Sequence, residues 1–153
     1  MYAVCLRYSR NDDEAKDMLQ DGFVKVFQNL GQFGFRGSFE GWVRKVIVNT
    51  ALEKLRRESN AAPSLEDVDF QDPAVPDAII DRLSAMDLIR LIRSLSPQYR
   101  MVFNLYAIEG YSHKEISNML HISEGTSKSN LSRARMILQE KIKNLDKPVD
   151  QSE

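Results

Sequence analysis

The 153-residue chain has one cysteine, two histidines and no apolar run approaching the roughly 20 residues of a membrane-spanning helix. Cys5 cannot form an internal disulfide, and its apolar neighbours Val4 and Leu6 predict a buried thiol in a reducing compartment. His113 and His121 have no second cysteine to complete a metal site, so neither a metal nor a cofactor is expected. The N-terminus also lacks the pattern of a secretory signal. These absences exclude secreted, membrane-spanning and zinc-stapled proteins and favour a cytoplasmic one.

Charge is nearly balanced, with 21 Lys and Arg against 22 Asp and Glu, but it is segregated along the chain. Residues 41–57 and 126–145 each carry five basic residues and one acidic residue. Residues 61–80 carry five acidic residues, no basic residue and three prolines. Two basic helical stretches separated by such a segment predict two modules and a linker. The local basic patches, rather than the net charge, are what a nucleic acid would meet.

Apolar periodicity predicts an all-α protein whose first long helix runs from about Asp12 to Leu30. Asp12 and Asp13 lie where a cap and an acidic first turn belong. The predicted buried stripe of this helix is Ala15, Met18, Leu19, Gly22, Phe23, Val26, Phe27 and Leu30. The opposite side carries a compact acidic-polar patch at spacings i, i+3 and i+4, formed by Asp17, Gln20 and Asp21. On the residues alone, a solvated helix face is the simpler interpretation of this patch.

A glycine-rich aromatic loop, GQFGFRGSFEGW, follows this helix. Exposed aromatic side chains beside a cation bind unstacked bases, and Phe33, Phe35 and Arg36 are the candidates for that role. Phe39 and Trp42 begin the next apolar stripe, so we expect them in the core.

A second long helix is predicted from an N-cap at Ser38 to about Arg57. Its predicted buried stripe is Phe39, Trp42, Val43, Val46, Ile47 and Ala51. The remaining positions are mostly polar or basic: Arg44, Lys45, Asn49, Lys54, Arg56 and Arg57. Such a face is either simply solvated or suited to a phosphate backbone.

Residues 58–78 show no periodicity and are predicted to be a flexible linker. A third apolar pattern runs from Ile79 to Leu95. Ser96-Pro97 then predicts a helix start with proline at the first helical position, and Gly110 predicts its end.

The stretch from Ser112 to Lys143 has the pattern of a helix-turn-helix. Ser112 and Glu115 form a capping-box pattern, His121-Ile122-Ser123 is a short turn, and Ser123 can cap a long basic helix. The predicted inner face of that helix is Leu131, Ala134, Leu138, Ile142 and Leu145. Its polar candidates for DNA contact are Lys128, Ser129, Ser132, Arg133 and Arg135. A plain helical hairpin is the alternative, and the caps, turn length and cationic helix favour DNA binding over it.

Two segments resemble bacterial sigma factors. DMLQDGFVKVFQNL at 17–30, with F-x-x-W-V-x-K-V-x-x-N-x-A from Phe39 to Ala51, resembles region 2. LSPQYRMVFNLYAIEGYSHKEISNMLHISEGTSKSNLSRAR at 95–135 resembles region 4. The two regions joined by a short linker are the layout of the extracytoplasmic-function (ECF) group.

The resemblance implies three divisions of the chain: region 2 at 1–58, a linker at 59–78 and a region 4 helix-turn-helix domain at 79–146. The first helix of region 2 would lie before Met1, so that part of the module is expected to be missing, which would leave Phe23, Phe27 and Trp42 less well covered. Ser127 falls on the inner face of the last helix, where the family commonly has valine.

The resemblance also implies partners and residue roles. The partners would be core RNA polymerase, promoter DNA and an anti-sigma factor. Core polymerase would be bound through its flap and through the clamp helices of its largest subunit. No small-molecule substrate is implied. Core polymerase would be bound by Asp17, Gln20 and Asp21. The −10 element would be bound by Phe33, Phe35, Arg36, Arg44, Lys45, Asn49, Arg56 and Arg57. The −35 element would be bound by Lys128, Ser129, Ser132, Arg133 and Arg135, and the acidic linker would enter the polymerase cleft.

A different class of protein fits much of the same pattern: a helix-turn-helix regulator whose N-terminal helical domain binds a partner. An enzyme is disfavoured, because the chain has no nucleophile-and-base constellation and no glycine motif for phosphate after a strand.

Overall fold

Helices form all the regular secondary structure in the part of the chain that the computed structural model describes, residues 1–59 and 83–145. The α-helices are α1 (Tyr2–Tyr8), α2 (Asp12–Gln28), α3 (Phe39–Ser59), α4 (Ala85–Arg93), α5 (Pro97–Phe103), α6 (His113–Leu120) and α7 (Glu124–Leu145). A 3-10 turn covers Leu30–Gln32, and a π-helical turn covers Asn104–Ile108. The all-α prediction is confirmed. No helix within these ranges is long and apolar enough to cross a bilayer.

Helix α1 was not predicted by the periodicity, because seven residues are too few to show a repeat. It buries Val4, Cys5 and Tyr8, which confirms the predicted burial of the thiol. Burial also raises the pKa of Cys5 above its ordinary value.

Helix α2 is capped by Asn11, whose side-chain oxygen accepts a 2.8 Å bond from the Glu14 amide. The predicted cap at Asp12 was therefore one residue late. The helix ends at Gln28, two residues earlier than predicted, and the side chain of Asn29 donates to the Lys25 carbonyl. Both differences lie within the usual uncertainty of helix ends.

The apolar stripe of α2 is only partly buried. Ala15, Met18, Gly22 and Val26 lie in the core. The predicted burial of Phe23, Phe27 and Leu30 was wrong, since all three are exposed. The reason is geometric: α1 and α3 cover one side of α2, and the described residues place no element over the side that carries these three side chains.

Helix α3 begins as predicted, with the Ser38 hydroxyl accepting a 3.0 Å bond from the Gly41 amide. Its core side chains are Val43, Ile47, Val48, Ala51, Leu52 and Leu55. Phe39 was predicted in the core but is exposed, and Trp42 is half-buried. Helices α1, α2 and α3 together form the first unit.

Helices α4 to α7 form the second unit. Ser59, the first residue of the predicted linker, is the last residue of α3. The rest of that linker, residues 60–78, and Ile79 lie outside the described residues. Pro97 is the first residue of α5, and Gly110, with φ of +80°, follows the π turn, as predicted. On α7 the inner face is confirmed for Leu131, Ala134, Leu138 and Ile142, whereas Leu145 is exposed.

Candidate polymerase and nucleic-acid interfaces

The acidic-polar patch on α2 is solvent-accessible. Asp17, Gln20 and Asp21 are all exposed. Val24 and Phe27 continue the same helix face one and two turns further on, and Phe27 is 70% exposed. The patch is therefore an acidic surface extended by apolar side chains, which is a composition suited to binding another protein. Sequence reasoning missed the apolar half because it assigned Phe27 to the core.

An ion pair between Lys25 and Glu53 joins α2 to α3 next to this patch. The hydrogen bond from the Lys25 ammonium holds the pKa of Glu53 below its usual range. The pair links the helix with the acidic patch to the helix with the basic face.

The glycine-rich loop presents one aromatic ring fully to solvent. Phe35 is 88% exposed and has φ of 53°, a conformation that costs energy in a residue with a side chain. The half-buried ring of Phe33 lies beneath it, with its centroid 5.0 Å from that of Phe35, 5.3 Å from Phe39 and 5.6 Å from Trp42. The cluster therefore has a supporting ring and a projecting ring, an arrangement against which a planar group such as a base can stack. Arg36 is exposed beside it.

The predicted −10 residues of α3 fall into two groups. Lys45, Asn49 and Arg57 are exposed. Arg44 and Arg56 are half-buried and point toward the second unit. Arg44 donates two bonds to the carboxylate of Glu109, at 2.8 and 2.9 Å, and this pairing raises the pKa of Arg44.

The helix-turn-helix is formed by α6, a short turn and α7. Ser112 and Glu115 make both bonds of the capping box, as predicted. His121 takes the left-handed conformation that ends α6, with φ of 54°, and the Ser123 hydroxyl accepts a 3.0 Å bond from the Thr126 amide at the start of α7. The backbone that aims α7 is thus fixed at both ends of the turn.

A buried hydrogen bond ties α6 to α7. Ser127 is completely buried, and its hydroxyl lies 2.8 Å from Nδ1 of His113. The His113 ring stacks on Tyr106, with centroids 4.5 Å apart. The buried Ser127 hydroxyl therefore has a hydrogen-bond partner, which offsets the cost of burying it.

The five predicted −35 residues are not equally accessible. Lys128 is exposed, Ser129 and Arg133 are half-buried, and Ser132 is only 5% exposed. Arg133 donates to the Tyr99 hydroxyl at 3.4 Å, and the Arg135 guanidinium lies 5.7 Å from the Tyr106 ring centroid. In this arrangement Lys128 is the most accessible cation of the set.

The junction between the two units, formed by Arg93, Arg100, Asn104 and Glu109 against α1 and α3, was missed by sequence reasoning. These residues make hydrogen bonds to partners 65 to 102 positions away in sequence. One signal could have been found: Arg100 and Asn104 interrupt an apolar helix face at spacing i, i+4. Buried polar residues at such positions require a partner.

The carbonyl groups that end α1 are capped by the second unit. Arg93 donates to the Leu6 carbonyl at 3.0 Å, Asn104 to that of Arg7 at 2.9 Å, and Arg100 to that of Tyr8 at 3.2 Å. Cations and donors at a helix C-terminus satisfy carbonyls that lack an intrahelical partner. Burial and the nearby Glu109 raise the pKa of the Tyr8 phenol, and burial lowers that of Arg100.

The described residues thus define an all-helical protein in which the first unit carries an aromatic loop and the second unit carries a helix-turn-helix. Comparison with protein families is consistent with this division. The model for Sigma-70 region 2 matches residues 1–61, and that for Sigma-70, region 4 matches residues 85–138. The chain belongs to the sigma-70 family, with regions 2 and 4 in that order.

Curated relatives carry ECF names. The chain is 32% identical over 145 residues to the ECF RNA polymerase sigma factor SigE of Mycolicibacterium smegmatis, covering 92% of this chain and 56% of that protein. It is 30% identical over 128 residues to the ECF RNA polymerase sigma factor SigM of Mycobacterium tuberculosis, covering 83% of this chain and 63% of that protein. The chain therefore spans less than two thirds of the length of these two relatives.

A solved structure shares the fold. The sigma factor RpoE of Bartonella quintana, crystallised with the anti-sigma factor NepR, matches with a TM-score of 0.59 at 22% identity. The match covers 95% of this chain and 91% of that one.

Proposed function

We propose that this chain is a sigma factor that binds core RNA polymerase and directs it to promoters, reading the −10 element with region 2 and the −35 element with region 4. The observation that carries the proposal is the combination of two sigma-70 regions in order, each with an exposed surface of the expected chemistry. The divisions at 1–58, 59–78 and 79–146 are part of this proposal. Since its partners would be polymerase and chromosomal DNA, the protein would act in the bacterial cytoplasm and would need no catalytic group of its own.

The surface proposed to bind core polymerase is the exposed patch of Asp17, Gln20 and Asp21, extended by Val24 and Phe27. Carboxylates give such a surface electrostatic steering, and the exposed apolar side chains give it area to bury. An anti-sigma factor would compete for the same surface; RpoE of Bartonella quintana was solved with such a partner.

The surface proposed to bind the −10 element is the Phe33–Phe35 platform together with Asn49 and the basic residues Arg36, Arg44, Lys45, Arg56 and Arg57. A projecting ring supported by another ring can hold an unstacked base while cations contact the phosphates. The helix α7 would enter the major groove at the −35 element, since Lys128, Arg133 and Arg135 lie within its first 12 residues and its start is fixed by the capped turn.

The test is binding and transcription with purified core polymerase. The chain is expected to co-migrate with core enzyme and to support initiation on native promoters without another specificity factor. Asp21→Lys should lose core binding, because it reverses a charge at the centre of the patch. Glu140→Lys, which reverses an exposed charge on α7, is the matched control and should bind normally.

The alternative regulator predicts a different result: DNA binding without association with core enzyme. Failure of the chain to bind core polymerase at low salt would contradict the sigma assignment. Equal affinity of the Asp21→Lys variant and the parent for core enzyme would show that the acidic patch is only solvated.

A further inference from the structure

Two of the side chains proposed to bind the −10 element are already engaged within the protein. Arg44 donates from Nε and Nη2, one edge of its guanidinium, to the Glu109 carboxylate, and Arg56 donates to the Met119 carbonyl at 3.2 Å. A two-pronged guanidinium–carboxylate pair uses the same donors that a phosphate would accept from. In this arrangement Arg44 cannot offer that fork to DNA.

Glu109 is the central residue of the contact. Its side chain is only 7% exposed and also accepts a 3.3 Å bond from Arg7. A buried carboxylate is costly to leave without a cation partner, so loss of one arginine favours hydration of Glu109 and separation of the whole group. Arg93 reinforces the docking from α4, with a 2.8 Å ion pair to Asp12.

The centre of the junction is less completely paired than its rim. Four buried side-chain atoms have no hydrogen-bond partner among the described residues: Arg7 Nε, Tyr8 Oη, Arg100 Nε and Asn104 Oδ1. All four residues lie where α1 meets α5. A buried polar atom without a partner destabilises the docked arrangement, because water would hydrogen-bond to it once the units separate. The ion pairs of Glu109 and Arg93 therefore oppose separation of the units, whereas the four unpaired atoms favour it.

We infer that the docked arrangement is a closed, self-inhibited state in which Glu109 of region 4 occupies the DNA-binding arginine of region 2. Opening exchanges the carboxylate for a DNA phosphate on Arg44 and frees the two regions to reach separate promoter elements. The inference rests on the proposed function, because it assigns a regulation to the same −10 surface.

The experiment measures opening and DNA binding in the full chain. Donor and acceptor dyes are placed on cysteines introduced at the exposed Lys16 and Lys143; buried Cys5 is replaced by alanine. DNA binding uses a labelled single-stranded thymine-rich oligonucleotide. Glu109→Gln removes the carboxylate charge at constant shape, and Glu140→Gln removes one acidic charge away from the junction as the matched control.

Glu109→Gln is expected to lower energy transfer between the dyes and to raise oligonucleotide affinity about fivefold at low salt, while Glu140→Gln changes neither. Adding Arg44→Ala to Glu109→Gln should abolish the gain in affinity but leave the units apart. Arg93→Ala opens the junction from the α4 side without altering a proposed DNA contact, and it should also lower energy transfer. It therefore replaces Glu109→Gln as the test if that variant folds poorly.

Unchanged energy transfer in both Glu109→Gln and Arg93→Ala would overturn the inference. So would opening without any gain in affinity over Glu140→Gln. Transcription with core polymerase separates this failure from that of the proposed function. If the parent chain is active but Glu109→Gln changes neither energy transfer nor oligonucleotide affinity, only the self-inhibition is refuted. If the parent chain never binds core enzyme, the sigma assignment is refuted.

Discussion

Gly22 of α2 lies directly against Ile47 of α3, so close that a β-carbon at position 22 would be 2.9 Å from Cγ1 of Ile47. The same atom would be 3.5 Å from the Ile47 α-carbon, an ordinary contact, so the clash is with Cγ1. Because Ile47 is completely buried, moving Cγ1 away would disturb its packing in the core. The absence of a side chain at position 22 therefore sets the distance between the helix with the acidic patch and the helix with the basic face.

Gly22→Ala should destabilise the protein, although alanine is the better helix former. Separating two packed helices costs about 1–3 kcal/mol, against about 1 kcal/mol gained in helix propensity. Gly125→Ala is the matched control on α7, where the nearest atom to a new β-carbon is 3.8 Å away; it should be neutral or stabilising. Chemical denaturation measures both, and a Gly22→Ala variant as stable as Gly125→Ala would contradict the packing argument.

Glu14 should make stability depend on acid pH. Burial acts to raise its pKa, but bonds from the Arg10 amide and guanidinium outweigh this, so the pKa of Glu14 lies below its usual value. A depressed native pKa gives stability that is present above the unfolded-state pKa of about 4.3 and is lost as the pH falls through the native value.

Glu14→Gln should therefore lose stability relative to the parent at pH 7, and the difference should shrink below about pH 4. Urea unfolding at a series of pH values measures it. Parallel pH profiles for the two proteins would show that the carboxylate contributes nothing through its charge.

Phe35→Ala should slow promoter opening more than it weakens promoter binding, because the projecting ring has a role only once a base leaves the stack. Its effect on folding should stay within about 0.5 kcal/mol, since the ring is almost fully exposed. Permanganate reactivity of promoter thymines reports opening, and gel mobility reports binding. Met86→Ala, which truncates an exposed apolar side chain on α4, is the control; equal effects of Phe35→Ala on opening and binding would favour a packing role.

Arg133→Ala should weaken promoter binding by about 1–3 kcal/mol if its side chain reaches a base edge. Tyr99→Phe removes only the hydroxyl that Arg133 contacts within the protein and should bind DNA as the parent does. Lys143→Ala removes a similar charge from the far end of α7 and tests for a long-range electrostatic effect. Fluorescence anisotropy with promoter duplexes at two salt concentrations distinguishes a specific contact from a long-range electrostatic effect. Equal losses of binding affinity in Arg133→Ala and Lys143→Ala would refute a specific contact by Arg133.

Local sequence signals predicted much of the helical architecture correctly. The capping box at Ser112 and Glu115, the proline that starts α5 and the turn before α7 depend on bonds between residues a few positions apart. Such bonds are encoded in short segments, so they can be found without knowing the rest of the fold. The cap of α2 was displaced by one residue because Asn11 and Asp12 are both competent caps.

The candidate surfaces were predicted less completely. Asp17, Asp21 and Lys128 are exposed, as their proposed contacts require. The resemblance indicated that Phe27 would be poorly covered, but the periodicity alone placed it in the buried stripe and did not indicate that it would extend the acidic patch. Burial of Ser132, too, could not be inferred from its place on a helical wheel, since it depends on how α7 packs against α5.

By itself the sequence determined the longer helices, most of their caps and the family motifs, because periodicity, capping and local motifs act within a few turns of one helix. Only the tertiary structure decided which apolar faces are covered, leaving Phe27 and Leu145 in solvent. It alone paired Arg44 with Glu109, since periodicity states which residues share a helix face but not which distant segment will lie against that face.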